Sequence, residues 1–134
     1  MKFELDPRLA EDTVEVTDWP LCKVLLMNDA NYPWLILVPR VAGVVNLHDL
    51  DSEQAAGLME ESRRASSLLA QVTGSGKTNV ATLGNLVPQL HIHVIARFRS
   101  DPAWPGPVWG RLPADPYPGQ ALEDRLGKLR RAFG

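Results

Sequence analysis

The chain has 134 residues, enough for one domain with a sizeable core, and a formal net charge of -2 at pH 7. So small a charge argues against nucleic acid or an acidic membrane as a partner of the whole surface. The single cysteine, Cys22, excludes an internal disulfide and fits a reducing, cytoplasmic compartment.

Cys22 lies in an apolar run and reads as a buried, inert thiol. The first residues, Met1 to Asp6, carry acids and no apolar stretch, unlike a signal peptide. Apolar runs such as Trp34 to Pro39 are far too short to span a bilayer.

In chain order, Asp6-Pro7 reads as a helix start, with Asp as N-cap and Pro in the first turn, and this helix ends near Asp12. Thr13 to Thr17 and Leu21 to Met27 read as strands divided at Trp19-Pro20. Asn28 to Asn31 has turn composition, and the continuous apolar run Trp34 to Val38 reads as an interior strand closed by Pro39. Asp51 to about Val72 is the long helix. Asp51 caps it, Gln54 completes a capping box, and Leu50 is placed to staple onto Ala55. Leu58, Ser62, Ala65, Leu69 and Val72 form its core stripe, with Glu60, Glu61, Arg63 and Arg64 on a solvated face.

Gly74-Ser75-Gly76-Lys77-Thr78 invites comparison with a phosphate-binding loop. That loop needs glycine where Gln71 stands, and it needs a strand before and a helix after. The order here is reversed, so a helix C-cap and turn is the better account. Thr78 to Leu83 reads as a strand, Gly84-Asn85 as a turn, and Val87 to Phe98 as another strand. Ser100 to Gly119 holds six of the eleven prolines and two tryptophans, which predicts an ordered, irregular wrap. Leu122, Leu126, Leu129 and Phe133 mark a terminal amphipathic helix. Strands in succession around one long helix predict an α+β fold with an antiparallel sheet.

The chemistry concentrates in Gln89-Leu90-His91-Ile92-His93. On a strand, Leu90, Ile92, Val94, Ala96 and Phe98 share an apolar face, while Gln89, His91, His93 and Arg97 share the other, interrupted by Ile95. Three readings of the two histidines stand side by side. They are structural groups on a half-buried face; or they chelate a metal, for which a third and fourth ligand are not evident; or one is a nucleophile oriented by its neighbours. A neutral imidazole attacks phosphorus near pH 7 provided its second nitrogen is held by an acceptor. Gly84, Asn85 and Gln89 supply backbone and amide groups for non-bridging oxygens. The third histidine, His48, reads as structural or peripheral.

Asn79, Gly84-Asn85, Val87 and Gln89-Leu90-His91-Ile92-His93-Val94 resemble the signature of the histidine triad (HIT) family of nucleotide hydrolases and transferases. That signature is His-φ-His-φ-His-φ-φ, with φ apolar, after a Gly-Gln-x-Val-type turn. Trp34 to Arg40 is similar to the family's strand ending in Val-Pro, His48-Asp49-Leu50 to the segment before its long helix, and Trp104-Pro105 to a pair that follows the triad in some branches. The match spans roughly Val14 to Trp109.

The resemblance implies a single HIT-like domain over residues 1–134, with a core at about 14–109 and a C-terminal extension with a helix at 110–134. It implies an α+β fold of about five antiparallel strands with one long helix and a terminal helix. His91 corresponds to the nucleophile, which becomes nucleotidylated, and His93 to the third histidine, which contacts phosphate. Gln89 stands in the place of the first histidine; an amide hydrogen-bonds there but carries no proton at neutral pH. Trp34 stands where the family often has histidine, and Leu86 where it often has Ser or Thr, with Asn79 and Asn85 as compensating amides. The strand Leu21 to Met27 with Trp34 is expected to form the base slot, and Arg97 and Arg99 are candidates for polyphosphate charge.

The implied function is hydrolysis at the α-phosphate of a nucleotide anhydride or phosphoramidate, of the diadenosine polyphosphate kind, by a cytoplasmic homodimer. No protein-bound metal is implied, and magnesium enters only with the substrate. The alternatives are a nucleotide sensor with lost catalysis and an interaction module that keeps the fold.

Overall fold

The computed structural model describes residues 1–134. Helix α1 (Pro7–Asp12) leads into strands β1 (Thr13–Asp18), β2 (Cys22–Met27) and β3 (Trp34–Pro39). A 3-10 turn (Leu47–Asp49) precedes the long helix α2 (Ser52–Thr73), followed by β4 (Lys77–Ala81), β5 (Ile92–Arg97) and α3 (Gly119–Phe133). The five strands form one antiparallel sheet in the order β1-β2-β3-β5-β4. This is the α+β arrangement expected from the sequence.

Local chemistry sets the boundaries. Asp6 accepts from the backbone N–H of Arg8, and Asp51 and Gln54 complete the capping box at the start of α2. Gly74 ends α2 in the left-handed region, at φ 76°, where a side chain is strained. The stretch that resembles a phosphate loop is therefore a helix stop running into β4.

The sheet is covered on both faces. One face packs Val24, Leu26, Leu35, Leu37, Ile92, Val94 and Ala96 against Leu58, Ala65 and Leu69 of α2 and Leu126, Leu129 and Phe133 of α3. The other packs Leu25, Trp34, Ile36, Val38 and Ile95 under Leu9 of α1, Tyr32, and Ala103 and Val108 of the proline-rich wrap. Residues beyond 14–109 thus supply both cores. The indole N–H of Trp19 also donates to the carbonyl of Phe133 at 2.9 Å, which ties α3 to the sheet.

Two expectations need correction. The ladder of β5 begins at Ile92 rather than Val87, because Pro88 has no N–H and the N–H of Leu90 bonds outside the ladder, to Val44 O. Glu61 is not on the solvated face of α2. It is buried, and its carboxylate accepts from the backbone N–H groups of Leu21 and Cys22 at 2.9 and 2.8 Å. Those donors open β2, so the charge does the work of a ladder partner.

Candidate active site

His93 is the second residue of β5 and His91 immediately precedes the strand; both rings are on the sheet face away from α2 and α3. Register decides their neighbours. Ile36 pairs with His93 and Trp34 with Ile95, so Trp34 is diagonal to His93 across the ladder, within reach of a long side chain. The Trp34 Nε1–H donates to His93 Nδ1 at 3.0 Å. An indole nitrogen only donates, so His93 Nδ1 is an acceptor and the ring proton sits on Nε2. Burial, and then the charge that His91 can carry, lower the His93 pKa to about 4. His93 is a neutral N–H donor at pH 7.

His91 has the opposite tautomer. Its Nδ1 lies 2.7 Å from the carbonyl of Gln89, which only accepts. The proton is therefore on Nδ1, and Nε2 keeps its lone pair. The two rings meet edge to face at 4.9 Å between centroids, and Trp109 packs on His93 at 5.1 Å. Neither Nε2 has a protein partner, and neither is sealed away from solvent. One lone pair and one N–H thus stand side by side.

Both rings line a cleft of about 190 Å³ with Leu9, Asp12, Trp34, Gly84, Val87 and Trp109 among its walls. It adjoins a larger cleft of about 450 Å³ through Asp12, Met27, Trp34 and Trp109. Glu11, Asn28, Asp29 and Leu112 also line that larger lobe. A small end that holds the two imidazoles and a roomier, partly apolar lobe make a site shaped for an extended ligand.

The remaining candidates separate. Gly84, at φ 74°, shapes the turn beside the histidines and lines the cleft. Asn85 is exposed and lies outside the cleft wall. Asn79 is not brought to the histidines. It pairs with Ile95 farther along β5, and its Oδ1 accepts from Arg97 at 2.7 Å. Arg97 is no free cation for polyphosphate either. It is buried at 2 % exposure and forms a two-point ion pair with Asp101 at 2.9 and 3.1 Å. Arg99 is exposed. Gln89 turns its side chain away from the rings, toward the N-terminal segment, at 2.8 Å from both Asp6 N and Glu4 O. His48 is exposed and outside the site.

Of the expected base slot, Met27 and Trp34 line the clefts, whereas Leu21 packs against the core on the helical face. Leu9, Asp12 and Trp109 are walls that the strand motif alone did not announce. For Trp109 the only sequence signal was the concentration of indoles and prolines after β5, and for Leu9 and Asp12 of α1 there was none. No group of three or more His, Cys, Asp or Glu side chains stands together as metal ligands would. No helix is long and apolar enough to cross a membrane.

The HIT domain family matches residues 8–100. A histidine triad protein from Bradyrhizobium japonicum superposes with a TM-score of 0.96 at 47 % identity, covering 100 % of both chains. A histidine triad protein from Marinobacter aquaeolei gives 0.95 at 47 % identity over 98 % of this chain and 96 % of its own. One from Sinorhizobium meliloti gives 0.93 at 41 % over 97 % and 96 %. No curated protein matches the chain. A family match over most of the sequence, joined to end-to-end likeness with histidine triad proteins, establishes that this chain belongs to the HIT domain family.

Proposed function

We propose that the protein is a nucleotide hydrolase that cleaves at the α-phosphate of a nucleotide anhydride or phosphoramidate, with His91 as nucleophile. The observation that carries this reading is the bond from His91 Nδ1 to the Gln89 carbonyl, which leaves Nε2 as a free lone pair beside the cleft. Nε2 attacks phosphorus, the bond to the leaving group breaks, and that group departs with the electron pair and takes up a proton from solvent, which regains one from the attacking water in the second step. Water then attacks the nucleotidyl-His91, the N–P bond breaks, and a nucleoside monophosphate leaves with Nε2 restored. His93 donates its Nε2–H to a non-bridging oxygen throughout, and backbone N–H groups of the Gly84 turn supply further donors. Magnesium, where needed, arrives on the substrate phosphates.

The roomier lobe suits the nucleoside, with apolar walls for a base and the carboxylates of Glu11, Asp12 and Asp29 as acceptors for ribose hydroxyls. Adenine nucleotides, diadenosine polyphosphates included, are the leading class through the family resemblance. In this reading Gln89 occupies the first triad position. The reading also places the protein in the cytoplasm, in keeping with its one buried, unpaired thiol.

A second copy of the chain is the proposed partner. Strand β4 is the outer edge of the sheet, and beside it Leu47, Met59 and Val80 are exposed around an apolar cleft of about 410 Å³. A symmetric dimer would cover that edge and cleft. Sedimentation should give a dimer that Val80→Lys dissociates.

Acid-quench mass spectrometry after mixing with diadenosine polyphosphates tests the chemistry. An adenylyl group should appear on His91, and His91→Ala should abolish both adduct and turnover. An adduct on another residue would refute the assignment of the nucleophile. Tight nucleotide binding without turnover would favour the sensor, and no nucleotide-induced rise in melting temperature the interaction module.

A further inference from the structure

The side chain of Gln89 makes a pair of contacts that the reaction does not use. Its Oε1 accepts the N–H of Asp6 and its Nε2 donates to the carbonyl of Glu4, both at 2.8 Å. Donating to the carbonyl of residue i while accepting the N–H of residue i+2 is what the N–H and C=O of one residue do in a parallel strand pair. The Gln89 amide thus acts as one rung of a parallel ladder with the N-terminal segment. Arg8 closes the same seam from the other end, its Nη1 donating to the carbonyl of Leu86 at 2.6 Å.

We propose that Gln89 is a positioning residue whose side-chain amide laces residues 4–8 to the approach of the histidine strand and so sets one wall of the substrate cleft. The lever is short. Asp6 is also the N-cap of α1, and three residues on, Leu9 is buried against the Trp34 core. Leu9 and Asp12 of α1 line the cleft opposite Leu86, Val87 and the two histidines, and Asp12 reaches the nucleoside lobe as well. Releasing the seam lets that wall move while His91 keeps its own anchor, the backbone carbonyl of Gln89, which no substitution at position 89 removes.

The residue type follows from the two contacts. A primary amide presents one donor and one acceptor on the same edge. An imidazole carries its nitrogens at ring positions that point away from each other, so histidine at 89 can serve Glu4 O or Asp6 N but not both. Glutamine at this position is thus matched to holding the N-terminal segment, a different task from tuning the nucleophile. The inference rests on the nucleotide-cleaving reading for its kinetic consequence, and on geometry alone for the lacing.

The test uses the full chain and the variants Gln89→Met, Gln89→His and Arg8→Met. Amide hydrogen exchange at Asp6 should accelerate about tenfold or more in Gln89→Met, because its acceptor is gone. In an adenylyl-substrate assay that variant should raise KM about fivefold or more while kcat moves less than about threefold and the pH profile stays in place. Arg8→Met should shift KM in the same direction, and Gln89→His should loosen the segment without raising kcat. Unchanged exchange at Asp6 in Gln89→Met would overturn the lacing. A fall in kcat at constant KM, or a gain in kcat with a displaced pH profile in Gln89→His, would show instead that position 89 acts on the nucleophile. Should the wild type turn over no nucleotide, the hydrolase reading fails, and exchange at Asp6 with AMP affinity, measured by thermal shift in the same variants, still decides the lacing.

Discussion

Trp34 on β3 and His93 on β5 are joined by a hydrogen bond of 3.0 Å from indole Nε1 to imidazole Nδ1. This bond assigns the tautomer of His93 and so leaves its Nε2–H for the cleft that the ring lines. Trp34→Phe keeps an aromatic ring at this position but removes the donor and part of the packing against Tyr32, His93 and Trp109. The variant should lose about 1–3 kcal/mol, since a buried acceptor is left unpaired. Turnover should fall about tenfold once the tautomer is free to exchange. Urea denaturation and steady-state kinetics measure both. A variant equal to wild type in each would remove Trp34 from the site's design.

The low pKa of His93 makes stability depend on pH. Burial holds the folded-state value at about 4, below the ordinary 6.5 of an exposed histidine. Between those two values the unfolded chain binds the extra proton and the folded chain does not, so stability falls as pH drops from about 6.5 to about 4. The span corresponds to about 3 kcal/mol, fully present above pH 6.5 and lost below pH 4. Denaturation midpoints of wild type and His93→Gln across this range should converge toward acid. Parallel curves would mean that the ring titrates normally in the folded protein.

The Arg97–Asp101 pair holds the wrap over the sheet. Burial alone would raise the Asp101 carboxyl, but hydrogen bonds from Arg97 and from the N–H groups of Phe98, Trp104 and Ala103 outweigh it and hold the pKa at about 2. Arg97 also donates to Gly106 O at 2.8 Å, so the loop that delivers Trp109 depends on this guanidinium. Asp101→Asn should cost about 3–5 kcal/mol, as an unmatched buried cation remains. KM should rise as Trp109 loosens. The exposed pair Arg63–Glu60 is the control, and Arg63→Ala should leave the denaturation midpoint where it was.

Glu61 is the polar hinge between α2 and β2. Glu61→Ala strips acceptors from two backbone N–H groups and should destabilise the fold by about 3 kcal/mol. Cys22 beside it reports the loss. Burial, then the Glu61 carboxylate, push the Cys22 thiol well above its ordinary range, which suppresses thiolate and alkylation. Iodoacetamide should label wild type only in denaturant and label Glu61→Ala much faster in buffer. Rapid labelling of native wild type would contradict the burial of this thiol.

Local rules carried much of the architecture. The alternation at Leu90 to Phe98 marks the core face of β5, and Asp51, Gln54 and Gly74 bracket α2 where capping chemistry places them. The two histidines on one strand face were legible for the same reason, because a period of two is a property of the backbone. Strand ends were less legible. Pro88 and the Leu90–Val44 bond shorten β5 through a partner far away in the chain.

By itself, then, the amino-acid sequence determined which segments become strand or helix, and that His91 and His93 share a face, since these follow from short-range propensity and periodicity. The tertiary structure alone decided what each polar group on that face touches. Arg97 reads as a free cation until the wrap brings Asp101 over it, Glu61 as solvated until β2 presents two bare N–H groups, and Gln89 as a neighbour of the nucleophile until residues 4–6 claim its amide. The physical reason is common to all three. The free energy of a polar side chain depends on which groups desolvate and pair it; for Arg97 the partner is four residues on, across the turn that opens the wrap, and for Glu61 and Gln89 the partners lie 39 to 85 residues away, so only the folded chain brings these groups together.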